Sequence, residues 1–395
     1  MKTVALRHLS SVPIRNGLGL PGDNANQSDP RYIRTTDIAT PTSLKEDTFV
    51  SQPTDIAERA PVEYGDLLLV SAGASIGKSY LHLTHGPACY AGFLTRVRPK
   101  SLRSGLFLSY WTQSSHYNDQ IRSAAVQSTI ENFSSARYKE LQVPDLPDVQ
   151  QDRIVQFLDH ETAKIDHLIA KQRELISLLE ERLSAFMENT LVKGISHDNA
   201  SPMEWRRVKH LFKLRDERNQ LEREEVTLLS LYAKHGVRKY DEIEERTGNP
   251  VRTVQDYKCV HAGDIIVNII LAWMGSIGRS PHNGVISPAY DIWTPLKGVS
   301  SRYYHYLFRT KWFSGECYKR GKGIMMMRWR TYADQFGDIR VPFPTQQEQD
   351  YLVNLIEHEE SQVQNLISKC QRMIDLLQER RSALITAAVT GQIEV

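Results

Sequence analysis

Apolar residues recur at steps of three, four and seven in two separate stretches of this chain. In the first they fall at Ile154, Leu158, Ile165, Leu168, Leu175, Leu179, Leu183 and Phe186; in the second at Leu352, Ile356, Val363, Leu366, Met373, Leu377 and Leu384. This spacing predicts two amphipathic helices, each carrying a coiled-coil-like seam over several heptads. Each stretch opens just after prolines with a capping-box pattern, Asp148-x-x-Gln151 and Thr345-x-x-Glu348, and each is followed by a glycine, Gly194 and Gly391. About 44 residues at 1.5 Å apiece predict rods of roughly 65 Å. A seam so narrow is buried only by packing on another helix, and the simplest arrangement is the two rods side by side and antiparallel.

The two stretches are copies. Val143–Ala185 reappears as Val341–Ala383 at a constant offset of 198, and extension to Glu188 gives 17 identities in 46 aligned positions. The offset is close to half of the 395 residues, so it is the repeat period of the whole chain. Outside the helices the copies have diverged, but Gly65–Val70 and Gly263–Asn268 share a Gly-Asp turn followed by a short apolar run, and both continue to Ser-Ile-Gly (Ser75–Gly77 and Ser276–Gly278). That reads as a turn and a buried strand. Residues 23–30 read as a loop and 197–202 as a junction. The predicted fold class is α+β with an internal two-fold pseudo-repeat: globular units at 1–142 and 199–340, and long helices at 143–195 and 341–395. A chain with two equivalent halves suits a partner that is itself nearly two-fold symmetric, and duplex DNA is the first to consider.

Composition adds restrictions. The net charge is +2, so any affinity for nucleic acid must come from local patches. Cys89, Cys259, Cys317 and Cys370 stand apart, without metal-ligand spacing, which predicts neither structural zinc nor disulfides. No stretch reaches the length of a membrane span, and a soluble cytoplasmic protein is expected. Gly73–Ser79 (GASIGKS) resembles a phosphate loop but is one residue short between its glycines, so a strand-to-strand turn is the better reading. Gly17–Gly22 (GLGLPG) does not open a helix. Ser287–Tyr290 (SPAY) approaches a methyltransferase tetrad, but the stretch aligned with it in the first half is PACY, and a buried turn is expected. Nothing points to self-sufficient catalysis, so no catalytic residue and no metal ligand is assigned.

One segment is strongly biased. Arg302–Arg330 holds eight Lys/Arg residues against the single acid Glu316, together with eight aromatics including Trp312 and Tyr318. For any one of these residues a solvated charge or a core ring is an equally good reading; the density of the cluster favours phosphate and base contacts. Lys319, Arg320 and Lys322 flank glycines, and Arg328 and Arg330 alternate around Trp329, so both arginines fit guanine contacts from one face of an extended segment. The aligned part of the first half is polar rather than basic and offers Gln127, Ser128, Arg137 and Lys139. Lys78 and Arg279, at the ends of the two Ser-Ile-Gly turns, complete the DNA-contacting candidates.

The doubled plan resembles the specificity subunits of type I restriction–modification systems. The residues that carry the likeness are the near-identical helices opened by Val-Pro, the ending Ala387–Val395 (AAVTGQIEV), Tyr32–Ile38 (YIRTTDI) and the Gly-Asp-strand pattern of each globe. One departure is that a tryptophan opens only the second unit, at Trp205. The resemblance implies two target-recognition domains, each reading half of a split asymmetric DNA site, and helices that set the spacer and dock two methyltransferase subunits, with restriction/translocase subunits joining for cleavage. It implies that S-adenosylmethionine, ATP and Mg are held by those partners. The repeated polar helix positions Gln151, Asp152, Glu161 and Arg182, with Gln349, Asp350, Glu359 and Arg380, are the candidates for docking. Two other readings stand beside it: a helical scaffold for protein partners that never touches DNA, and an enzyme using GASIGKS or SPAY.

Overall fold

The computed structural model describes residues 2–126, 132–193, 203–232, 236–242, 253–323 and 329–395. The chain divides into two compact units, Met1–Arg173 with Gln371–Val395, and Glu174–Cys370. The divide falls inside the long helices, so each unit is a globe together with parts of both.

In the first unit a four-stranded antiparallel sheet has the order Arg15–Asn16, Leu94–Val97, Leu67–Val70, Ser79–Leu81. Beside it Arg31–Ile33 runs parallel to Ala88–Tyr90, which pairs antiparallel with Pro61–Val62. The run Leu67–Val70 is buried on both faces, which is why it reads as continuous rather than alternating hydrophobicity. Leu67 and Leu69 pack with Phe107, Trp111 and Tyr138 of the helices Leu102–Trp111 and Ser135–Glu140, while Leu68 and Val70 pack with Ile33, Tyr80 and Tyr90. The second unit repeats this order with Phe212–Arg215, Tyr290–Pro295, Ile265–Asn268 and Ile277–Arg279. Its sequence has drifted, but the alternation persists: Ile265 and Val267 face the helical side, Ile266 the other.

The Gly-Asp turn explains itself in both globes. Gly65 and Gly263 have φ of 90° and 100°, a left-handed conformation that favours glycine. The following Asp66 and Asp264 are buried; each accepts the backbone N–H three residues earlier, of Glu63 and of His261, at 2.8 Å. Each carboxylate is neutralised by one arginine, but from different strands: Arg98 Nε donates to Asp66 at 2.8 Å and Arg215 Nε to Asp264 at 3.1 Å.

The long helices are Asp148–Glu188 and Gln346–Val389, the first prolonged by a π-helical turn at Asn189–Lys193. In each unit the start of one packs on the same globe as the end of the other, which makes them antiparallel there. Ile154, Val155 and Leu158 share the first core with Ile385, Ala388 and Val389; Leu352, Val353 and Ile356 share the second with Leu191. The box at Thr345 forms, with Thr345 N–H donating to Glu348 at 2.8 Å and Glu348 N–H to the threonine hydroxyl at 3.4 Å. The pattern at Asp148 does not act as a box, because the helix already begins there and Pro147 precedes it. Gly391 closes the second helix at φ 67°, with Gln392 N–H reaching back to Ala387 O at 2.8 Å. Gly194 and the junction 197–202 lie outside the described residues.

The seam is not quite where apolar spacing puts it. The buried and half-buried positions are Leu158, Thr162, Ile165, Ile169, Gln172, Ile176, Leu179 and Leu183 on the first helix, and Ile356, Glu360, Val363, Ile367, Cys370, Ile374, Leu377 and Arg381 on the second. These are one heptad frame, repeated at the offset of 198. Leu168, Leu175, Leu366 and Met373, assigned above to the seam, are instead 48%, 43%, 44% and 48% exposed. Their neighbours Ile169, Ile176, Ile367 and Ile374 take the seam places, and Thr162, Gln172, Glu360 and Arg381 are polar members that hydrophobicity alone skips over.

A cleft of about 550 Å³ lies between the second globe and its helix segments, lined by Arg279, Arg302, His305, Arg309, Glu357 and Glu360 among others. The equivalent cleft of the first unit, about 720 Å³, is lined by Tyr110, Gln113, Asp159, Thr162, Asp166 and Arg381. A tyrosine bridges each joint, though not at equivalent positions of the repeat: Tyr110 donates to Asp159 at 2.5 Å and Tyr306 to Glu360 at 3.2 Å. In the second cleft, Arg279 N–H donates to His305 Nδ1 at 3.1 Å, so the imidazole is unprotonated at that nitrogen. Burial, reinforced by the charges of Arg309 and Arg279, pushes the His305 pKa down to about 4.

Two stability predictions follow from this packing. Ile356→Ala, at a fully buried seam position, should cost about 2–5 kcal/mol in denaturant unfolding, whereas Leu376→Ala, 59% exposed, should change stability by less than about 0.5 kcal/mol. His305 has a folded pKa below its unfolded value, so the unfolded chain takes up the proton first as pH falls. Its contribution is present above about pH 6.5 and is lost as pH falls toward 4, by up to roughly 3 kcal/mol. The His305→Gln variant, which keeps an acceptor but does not titrate, should lose less melting temperature between pH 7 and pH 4.5 than the parent chain.

Candidate nucleic-acid interface

Three pieces of the second globe build its basic face. The helix Lys311–Arg320 is capped by Thr310, whose hydroxyl accepts from Phe313 N–H at 3.2 Å. Its last turn carries Lys319 and Arg320, both of which pair with Glu316, Lys319 at 2.8 Å. Beyond Gly321, Lys322 and Arg330 bond to each other through their backbones at 2.9 and 3.0 Å, and both side chains are exposed. The third piece is the turn between strands Ile265–Asn268 and Ile277–Arg279. Thr331 N–H donates to Ile269 O at 2.8 Å and its hydroxyl to Cys317 O at 3.2 Å, so one threonine ties turn, helix and ribbon together.

The aromatics sort into two groups. Tyr303, Tyr304, Phe308 and Phe313 are core residues of the second globe. Trp273, Tyr318 and Trp329 form a ladder near the surface, with centroids 5.8 Å apart for the first pair and 5.2 Å for the second, which is stacked. Trp329 N–H donates to Tyr318 O at 3.1 Å, and a Cβ at Gly321 would come within 2.3 Å of its indole nitrogen. Glycine is therefore required at 321 for the tryptophan to lie there. Trp329, a candidate for direct DNA contact, is half-buried, stacks on Tyr318 and gives its N–H to Tyr318 O, so it also holds the ladder.

The other candidates are scattered. Arg328, Gln127 and Ser128 lie outside the described residues. Arg279 is drawn into the cleft with His305, where its Nε donates to Ser301 at 3.0 Å, and none of Lys319, Lys322 or Arg330 lines that cleft. In the first globe, Lys78 is exposed at the end of the turn between Leu67–Val70 and Ser79–Leu81, and Arg137 and Lys139 are half-buried on the short helix Ser135–Glu140. GASIGKS is thus a hairpin turn with positive-φ glycines at Gly73 and Gly77. SPAY forms a turn, but Pro288 and Ala289 are exposed, not buried. Strand register places Ala88–Tyr90 opposite Gly284–Ile286 in the repeat, so PACY and SPAY are not equivalent.

Several helix candidates have internal work. Gln349 is fully buried: its carboxamide accepts from Ser300 N–H at 2.7 Å and donates to Pro344 O at 2.8 Å. Gln151, 8% exposed, donates to Leu146 O at 2.9 Å in the same way. Gln349 thus ties the start of its helix to Ser300 of the second globe, while Gln151 holds the segment just before its own helix. Asp152 pairs with Arg103 of the first globe. Arg182 binds Glu359 across the helices at 2.6 Å, and Glu161, bonded to Lys164 at 2.7 Å, has its pKa lowered first by that lysine and in part by Arg380. Under the offset of 198, Glu161 and Arg380 stand at the positions of Glu359 and Arg182; the ion pair across the helices is the one between Arg182 and Glu359, and Arg380 acts on Glu161 through its charge. Asp350 and Arg380 are exposed.

An exposed set flanks the seam, four of its members assigned above to the seam itself and two, Leu178 and Leu376, missed by apolar spacing. Leu168 on the first helix, with Met373 and Leu376 on the second, belongs to the first unit; Leu366, with Leu175 and Leu178, belongs to the second. The two sets are equivalent under the repeat, and exposure of these six runs from 43% to 59%. Among the described residues, no group of three or more His, Cys, Asp or Glu is placed to hold a metal ion, and no helix is long and apolar enough to cross a membrane.

No family model matches the chain. Over 165 residues, 41% of this chain, it is 26% identical to the type I restriction enzyme EcoKI specificity subunit of Escherichia coli (strain K12), and the match spans about a third, 33%, of that relative's length. A chain from a type I R-M system, solved to explain complex assembly and conformational transition, superposes with a TM-score of 0.71 at 12% identity, covering 99% of this chain and 98% of that one. The HsdS subunit from Thermoanaerobacter tengcongensis superposes with a TM-score of 0.53 at 14% identity, covering 99% and 97%. Two globes of one topology, paired antiparallel helices and these superpositions together lead to one statement: the chain has the fold of the specificity subunits of type I restriction–modification systems.

Proposed function

We propose that this chain is the non-catalytic, DNA-reading subunit of a type I restriction–modification complex, each globe reading one half of a split asymmetric site. The observation that carries the reading is the doubled fold itself, matched over 99% of the chain. It is supported by the exposed Lys322 and Arg330 beside a helix that ends in Lys319 and Arg320. The globes share a scaffold and differ in surface, as readers of two unlike half-sites must. The long helices, each unbroken over 41 and 44 residues, are suited to set the number of base pairs between half-sites. Methylation and cleavage fall to partner subunits, which would hold S-adenosylmethionine, ATP and Mg.

Exchange of residues 1–142 for the globe of another such chain should change one half of the methylated sequence and leave the other intact. A fully unchanged methylation map would sink the assignment of reading to the globes. In the same system, Lys322→Ala with Arg330→Ala should weaken binding to all duplexes alike. The slope of log affinity against log salt should fall by about two, one per phosphate contact removed.

The two equivalent apolar sets on the helices are the sites proposed to dock two methyltransferase subunits, one set per unit. Exposed Leu and Met in a repeated frame gain nothing from water, and burial of one large side chain supplies roughly 1.5–3 kcal/mol. Leu175→Ser with Leu178→Ser should therefore lower the number of methyltransferase subunits retained from two to one in sedimentation or native mass measurements. Retention of both would exclude this face.

A further inference from the structure

The turn that follows the Gly-Asp strand is three residues longer in the second globe, and that difference has an exposed product. Both turns are anchored alike, by Phe133 N–H on Ser71 O and by Thr331 N–H on Ile269 O, each at 2.8 Å. Between anchor and Ser-Ile-Gly the first globe has only Ala72, Gly73 and Ala74, whereas the second has Ile270, Leu271, Ala272, Trp273, Met274 and Gly275. The longer turn coils into a 3-10 helix, Ala272–Met274, closed by Gly275 at φ 77°. Ala272 is buried and Trp273 is fixed by its N–H on Ile270 O at 3.0 Å and by the ring of Tyr318 at 5.8 Å. Leu271 and Met274 are left 40% and 58% exposed. They stand on a rigid base, beside the helix whose end carries Lys319 and Arg320 and the ribbon of Lys322 and Arg330.

Apolar side chains on a cation-rich DNA face need an apolar partner on the duplex. On base edges exposed in the grooves of B-form DNA that partner is the C5-methyl group of thymine, in the major groove. We propose that Leu271 and Met274 are specificity-determining residues that read a thymine methyl in the half-site of the second globe. The inference rests on the DNA-reading function proposed above. The surrounding cations supply the charge complementarity: Lys319, Arg320, Lys322 and Arg330 against the single Glu316. Insertion of these side chains as a wedge between base steps is the competing use of the same surface, and it would cost unstacking of a few kcal/mol.

The test is deoxyuridine scanning of the methylation-mapped site with the full chain. Deoxyuridine lacks only the C5-methyl, so each thymine of the second half-site, on either strand, is replaced singly and binding is measured by fluorescence anisotropy. At least one replacement should weaken binding about three- to fivefold, the factor expected for one lost methyl contact. Leu271→Ala with Met274→Ala should bind the thymine and deoxyuridine duplexes equally. Should that variant misfold, photo-crosslinking of the parent chain to 5-iodouracil at the sensitive position should label the peptide containing Leu271–Met274. A half-site without thymine, indifference to every replacement, or a loss that persists in the variant each overturns the methyl contact while leaving salt-dependent, sequence-specific binding intact. Absence of any DNA binding overturns the underlying function as well.

Discussion

Each globe closes over the beginning of one long helix and the end of the other, and this shared burial is the constraint on which the rest depends. Ile154 and Leu158 meet Ile385 and Val389 in one core; Leu352 and Ile356 meet Leu191 in the other. Neither core is complete without residues far apart in the chain, so folding of each unit is coupled to pairing of the helices. The polar members of the seam tighten this coupling. Thr162 donates to Leu158 O at 2.6 Å, Glu360 accepts from Tyr306 of its globe, and Arg381 binds Asp166 at 2.9 Å and Gln113 of the first globe at 3.0 Å. A polar group at a helix interface is costly unless paired. Thr162 is satisfied within its own helix, whereas Glu360 and Arg381 find their partners on the globe or the other helix, so satisfying those two also fixes the register of helix against globe.

That constraint explains why the repeat is loud in the helices and faint elsewhere. Near the helix ends a seam position meets both a helix and a globe, and in between, as at Leu179, Leu183 and Val363, it meets the other helix, so substitutions there are felt beyond their own helix. The globes ask less of their sequence. A glycine with positive φ, a buried aspartate that closes the turn, and an arginine to neutralise it are enough to start the central strand. Even the arginine is interchangeable in origin, arriving as Arg98 from one strand and as Arg215 from another, because the carboxylate requires a charge and not a particular neighbour.

The helices, their antiparallel pairing within each unit and the Gly-Asp strands were legible because each depends on local spacing or on one conformational rule. The seam frame was less so. Leu168 and Leu175 fit an apolar period as well as Ile169 and Ile176 do, and only packing distinguishes them. Repetition is ambiguous as well: Gln151 and Gln349 both bond to the carbonyl five residues earlier, and recurrence alone cannot separate an internal bond from a docking contact. Tryptophan beside arginine suggested a base contact at Trp329, but nothing in the sequence announced that Gly321 and Tyr318 fix where its ring lies. The exposed Leu271 and Met274 had a sequence signal, the longer turn, but exposure is a property of how Trp273 and Thr331 pin that turn.

Separation of anchor from variable surface is what allows one scaffold to carry two different readers. The hydrogen bond from Phe133 to Ser71 and that from Thr331 to Ile269 hold equivalent points of the two globes, while the turn beyond them changes in length and character. Small residues there leave the first globe flat at this point; an inserted 3-10 turn gives the second an apolar edge. Neither change reaches the seam, the buried Gln151 and Gln349 or the Asp turns, because the strand ends absorb it. A surface of this kind can alter what it contacts without disturbing the cores that the long helices hold in common.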